Sequence, residues 1–170
     1  MSQIRGVGAL LVDTNLDVLH SNSIAAALIP RIAERPRNLI AELLRSSART
    51  LDARSELIEH LVAVLRFISE PNERQQQIVG ELSLSSPEFS SAWAKHDVRQ
   101  PGPTTAQVQV AGVGTLALRC NMLMFTSGHH AVITLEGPGG VRGRASLSYL
   151  QEVGDAMLCS RMLPNGAAHA

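Results

Sequence analysis

Aromatic residues are scarce in this chain: one Trp, one Tyr and three Phe, 3% of its 170 residues. With an apolar share of 45%, the core must be built from Leu, Val, Ile, Ala and Met, which leaves Trp93 and Phe89 conspicuous. An excess of either charge is missing too. Lys plus Arg number 15 and Asp plus Glu 15, so the footprint by which a domain grips a phosphate backbone unaided is absent, and direct nucleic-acid binding is not expected. No apolar run approaches the ~20 residues that cross a bilayer, which assigns the apolar content to a soluble core. Cysteine is limited to Cys120 and Cys159, far apart and without a CxxC, and the opening MSQIRGVG is no secretory leader. The chain reads as cytoplasmic with free thiols. Its length suits one domain with a real core, expected over residues 1–161, with a loose tail over 162–170 where PNGAAHA has nothing to bury.

What is present is patterned. VGALLVDTNLDVLHS, residues 7 to 21, sets two short apolar runs around Asp13-Thr14-Asn15 and predicts a hairpin. Ser21-Asn22-Ser23 supplies N-cap chemistry for IAAALI, a short helix ended by Pro30. Beyond RIAERPR, Leu39, Ile40, Leu43 and Leu44 recur at helical spacing over 38 to 46. SELIEHLVAVLRFISE, residues 55 to 70, sets Leu57, Ile58, Leu61, Val62, Leu65 and Ile68 on one stripe. Pro71 can open a helix through Ile78, Val79 and Leu82. Ser86-Pro87-Glu88 is an N-cap, a proline at the first helical position and an acid in the first turn, so another helix is expected from about 87 to about 96. After QPGP the period changes, and residues 105 to 136 read as three strands closed by GPGG. A last helix, from about 144 to 161, carries Leu147, Leu150, Val153, Met157 and Leu158. This order predicts an α+β domain with an antiparallel sheet of about five strands and a C-terminal helix. In outline it is similar to the PAS-like sensory fold, whose sheet curves around a ligand cavity.

SPEFSSAWAKHDV, residues 86 to 98, brings the Trp, a Phe and a His-Asp pair together. A metal-dependent hydrolase would need further ligands, yet His20, His60, His129, His130 and His169 offer no HxxxH or HxH spacing. A Ser-His-Asp triad would need a positioned serine; no GxSxG exists, and adjacent His and Asp side chains diverge. No catalytic residue and no metal site is expected. Lys95 and His96 in a last helical turn favour the macrodipole, with Asp97 opening the loop. On a helix Phe89, Trp93 and His96 fall at i, i+4 and i+7 and share a face. That face is either packed core ending in a satisfied histidine or the wall of a pocket with His96 as its polar end. Gly137, Gly139, Gly140 and Gly143 lie between a strand and a helix, but Arg142 stands where GxGxxG needs glycine and no GK[ST] follows, so no cofactor is expected. Met122, Met124, Met157 and Met162 read as core filling, soft enough for an adaptable apolar pocket. Cys120 and Cys159 read as core or interface thiols.

Ser86, Pro87, Glu88, Phe89, Trp93, His96, Asp97 and Val98 together resemble the SPEFxxLWxxHDV signature of the MmyB-like transcription-regulator ligand-binding domains. LDVLHSNSIAAALI at 16–29 resembles that family's opening hairpin and helix, with Asn22 at the family's Asn. RNLIAELL at 37–44, LVAVLR at 61–66 with Arg66 at its end, GVGTLAL at 112–118 and LEGPGG are similar to further segments, so the likeness runs from about residue 7 to 155. The resemblance implies a PAS-like sheet with helices over a cavity that takes a fatty acid or comparable apolar small molecule, and transcriptional regulation, often by dimers. It implies Phe89 and Trp93 as the cavity wall, with His96, Arg66 and Asn22 as polar groups for a carboxylate head or as braces of the pocket. The chain departs from the family where Val110-Ala111 replaces its His-Pro, and where LDARSEL lacks its Trp. With its start a few residues before the first strand, the sequence is not expected to hold the usual helix-turn-helix. The expected function is a non-enzymatic, ligand-sensing regulatory domain acting through a partner, as a homodimer or with another regulator, and not on DNA directly. The alternative is a protein-interaction or dimerisation module that keeps the PAS-like fold without a ligand.

Overall fold

A computed structural model describes residues 6–33, 37–45, 54–126 and 128–162. The expected hairpin forms from β1, Gly8–Asp13, and β2, Asp17–Ser21. Its turn is set by Asp13, whose Oδ1 accepts from the backbone N–H of Asn15 at 2.8 Å and of Asp17 at 2.9 Å. The turn carries Leu16 into left-handed backbone, φ 61, while its side chain is wholly buried. A non-glycine residue there is strained, and core packing of the leucine offsets that strain.

The helical block follows. Asn22 caps α1, Ser23–Leu28, after which Pro30–Ala33 makes a short 3-10 turn. A two-residue strand that sequence pattern does not register, β3 at Arg37–Asn38, pairs with β2 and leads into α2, Leu39–Arg45. The remaining helices are α3, Arg54–Ile68; α4, Glu73–Ser85; and α5, Pro87–Ala94. Ser86 ends α4 and begins α5, its hydroxyl accepting from the Phe89 N–H at 3.2 Å. A polar network fixes this block to the hairpin. Arg74 of α4 grips Asp17 through Nε at 2.6 Å and Nη2 at 2.9 Å, and Asn38 donates to the Asn15 carbonyl at 2.7 Å. Buried Glu42 accepts from Arg37 at 2.9 Å and Arg45 at 3.1 Å.

The second half returns to strands: β4, Thr104–Val110; β5, Gly114–Met124; and β6, His130–Glu136. The three expected strands are present, with β5 a single 11-residue strand that ends before Phe125. All six strands form one antiparallel sheet in the order β3-β2-β1-β6-β5-β4. Leaving the short β3 aside, the two N-terminal strands sit beside the last one, as in a PAS-like sheet, and the α+β expectation holds. The closing helix, α6, spans Gly140–Met162 and so starts four residues before the expected 144. Glycine permits that early start. A Cβ on Gly143 would lie 1.7 Å from the Pro138 carbonyl oxygen, so the helix turns up tightly against GPGG only because residue 143 has none. Near the other end, a Cβ on Gly154 would lie 1.9 Å from the Ser23 carbonyl oxygen, which marks the close crossing of α6 over α1. Residues 163–170, where the loose tail is expected, lie outside the described residues.

Candidate functional site

The stretch singled out by its chemistry forms a joint between α3 and α5. Phe89, fully buried, stacks with Trp93 at a centroid distance of 6.0 Å and an interplanar angle of 9°. The Arg66 guanidinium lies over the Trp93 ring, 3.8 Å from its centroid. Its Nη2 donates to the Trp93 carbonyl at 2.7 Å, and its Nη1 lies 3.4 Å from His96 Nδ1. A cation placed on a carbonyl at the C-terminus of α5 meets both an orphan acceptor and the negative end of the helix dipole. Arg66 Nε is buried with no hydrogen-bond partner among the described residues, which its position over the indole imposes. His96 is exposed and takes left-handed backbone, φ 56, where α5 ends. Further along the same joint, Lys95 Nζ meets Glu59 at 2.6 Å and Ser55 Oγ meets Glu88 at 3.2 Å.

Four of the five expected site residues, Phe89, Trp93, His96 and Arg66, are thus brought together. Asn22 is elsewhere. Its Oδ1 accepts from the backbone N–H of Ala9 at 2.9 Å and of Ala25 at 3.1 Å, and its Nδ2 donates to the Val7 carbonyl at 2.8 Å, stitching α1 to β1.

None of these five residues lines the apolar cavity that lies between the inner face of the sheet and helices α1, α2 and α3 and holds about 90 Å³. Register explains its floor. Leu10, Ile133 and Met122 face one another across β1, β6 and β5, and Leu135, Cys120 and Thr104 form the next row. Leu28, Leu39 and Leu43 form part of the roof, closed by Leu57, His60 and Leu61 of α3. On α3 those three residues project opposite to Ser55, Glu59 and Arg66, so one helix has the cavity on one side and the joint with α5 on the other.

Two ionisable groups line the cavity among the described residues. His60 is 9% exposed, and burial, with a smaller push from Arg99, holds its imidazole below the ordinary value. Burial pushes the Cys120 thiol up to about 11, so it is a neutral wall group rather than a nucleophile. Cys159 is exposed on α6 and is not a core thiol. Among the described residues no three His, Cys, Asp or Glu cluster as a metal site, and no helix is long and apolar enough to cross a membrane. His60 could be found in the sequence only as an imidazole three residues after Leu57 on an apolar stripe, a signal that core histidines share.

An antiparallel PAS-like sheet roofed by helices over an apolar cavity defines the class of fold, one with space for a small molecule between its layers. The chain belongs to the MmyB-like transcription regulator ligand binding domain family, whose family model matches residues 1–148. That is a family of regulator domains rather than of enzymes. A search of curated proteins found no match to the chain.

Proposed function

We propose that this domain senses an apolar small molecule, a fatty acid or a comparable chain, held between the sheet and α1, α2 and α3, and passes its bound state to a partner. The observation that carries the reading is the cavity lining, leucines from three helices facing rows of Leu, Ile and Met from the sheet. Its free volume of about 90 Å³ is below the ~300–1,000 Å³ of a typical ligand site, so seating a long chain displaces the helical roof. Such a displacement is the physical content of a signal. Phe89, Trp93, Arg66 and His96 then act as braces that hold α3 from behind, and Asn22 as the brace that holds α1 on β1. Equal numbers of basic and acidic residues support action through a second copy or another regulator rather than through a nucleic-acid backbone.

The test is mass spectrometry of gently purified protein together with melting curves in the presence of fatty acids. Co-purified lipid, or a melting temperature that rises with ligand concentration, is expected. If no apolar molecule co-purifies and none moves the melting temperature, the reading fails. Light scattering and pull-down then decide whether the chain serves instead as a dimerisation module.

A further inference from the structure

His60 has no hydrogen-bond partner among the described residues, is 9% exposed, and lines the apolar cavity next to Leu61 and one helical turn after Leu57. Its imidazole offers one donor and one acceptor to whatever occupies the space beside it. The remaining polar side chains of the cavity lining are Thr104, Cys120 and Asn121. Asn121 is committed to Thr134 at 3.4 Å and Glu136 at 3.2 Å, and Cys120 is a weak donor to Leu118 O at 3.9 Å. Among the described lining residues His60 is the one ring that offers both a donor and an acceptor from the helical roof, opposite the Thr104 hydroxyl and the Asn121 carbonyl oxygen of the sheet.

We propose that His60 is the head-group anchor of the ligand, and that it takes an uncharged O–H head, either a hydroxyl or a carboxyl that keeps its proton, on an unbranched apolar chain. This rests on the sensing role proposed above. The charged and titratable groups around His60 decide the state of the head. Arg99, in the exposed segment after α5, is tied to α3 by its backbone N–H, which donates to the Ala63 carbonyl at 3.1 Å, and its charge disfavours an imidazolium. From β5 comes the Cys120 thiol, neutral at physiological pH. Helices α1 and α2 present only Leu28, Leu39 and Leu43, and α3 itself adds Leu57 and Leu61. Among the described residues no carboxylate lines the cavity, and burial keeps the imidazole neutral above pH 7. A carboxylate entering beside it would meet no charged group of the described lining, Arg99 acting only from outside it, so a fatty acid is expected to bring in one proton.

The experiment measures binding of 1-decanol and of decanoic acid to the full chain at pH 7 and pH 8, for the wild type, His60→Leu and His60→Gln. The alcohol is expected to bind equally at both values, and the acid about tenfold more weakly at pH 8, because one proton is taken up per molecule bound. His60→Leu is expected to lose at least tenfold in affinity for both chains. His60→Gln, which keeps an acceptor, recovers most of it and guards against a folding defect in the leucine variant. Wild-type affinity in His60→Leu overturns the anchor while leaving the apolar cavity as a ligand site. Acid binding that ignores pH overturns the uncharged head. A wild-type protein that binds neither chain overturns both the anchor and the sensing role.

Discussion

The side of α3 that meets α5 and the side that meets the sheet are built from opposite chemistry. Toward α5 the contacts are directional: a stacked Phe89–Trp93 pair, a guanidinium over the indole, and a 2.7 Å hydrogen bond to the end of a helix. Toward the sheet the contacts are those of leucines around free space, with one histidine that has no hydrogen-bond partner among the described residues. Directional contacts hold a helix in one place; non-directional ones let whatever fills the space choose its shape. The two faces together describe a wall that is rigid from behind and adaptable in front.

Substitutions at three residues probe that division, in falling order of effect. Phe89→Ala removes a wholly buried ring and is expected to cost about 3–5 kcal/mol in denaturant unfolding. If α3 is braced from behind, the same variant also weakens decanoic acid binding on the opposite face; unchanged binding would separate the faces. Arg66→Met keeps the stem but loses the stack and the hydrogen bond to Trp93, for about 1–3 kcal/mol. Arg66→Lys is expected to recover little, because an ammonium cannot lie flat on the indole and reach the carbonyl at once. At His96 the backbone matters more than the imidazole, so His96→Gly should be more stable than His96→Ala by about 1 kcal/mol. Equal stability of the two would mean that the left-handed turn does not matter.

The smallest effect is in pH. The folded state holds His60 below 6.5, so the unfolded chain takes up a proton first as pH falls. Stability contributed by neutral His60 is complete above 6.5, declines below it, and levels off once the folded state is protonated too. His60→Leu should flatten that part of the stability profile, which pH-dependent urea melts can resolve.

Legibility in the sequence followed the same division. The motif from Ser86 to Val98 could be read because its parts are chemically distinctive: a capping serine, a proline at the helix start, and two aromatics four residues apart in a chain that has few. Its position behind α3, on the side away from the cavity, could not be, since spacing shows that Phe89, Trp93 and His96 share a face but not what that face meets. The cavity left little trace because Leu57 and Leu61 obey the same spacing whether they meet core or empty space. The early start of α6 was hidden for another reason. Glycines usually interrupt a helix, yet Gly143 is what lets this one begin, by allowing it to pass the Pro138 carbonyl. β3 was too short to have a period at all.

The place of β1 in the sheet has a consequence in time. It lies between β2, which follows it directly, and β6, with Gly8 paired to Leu135 and Asp13 to His130. A ribosome releasing this chain can complete the β1–β2 hairpin early, but the other edge of β1 stays open until β6 has emerged. The α6 crossing at Ser23 comes later still. The domain therefore closes end to end rather than progressively, through contacts of high sequence separation that are slow to form. Any truncation before β6 leaves an unpaired strand, and with it a route to aggregation.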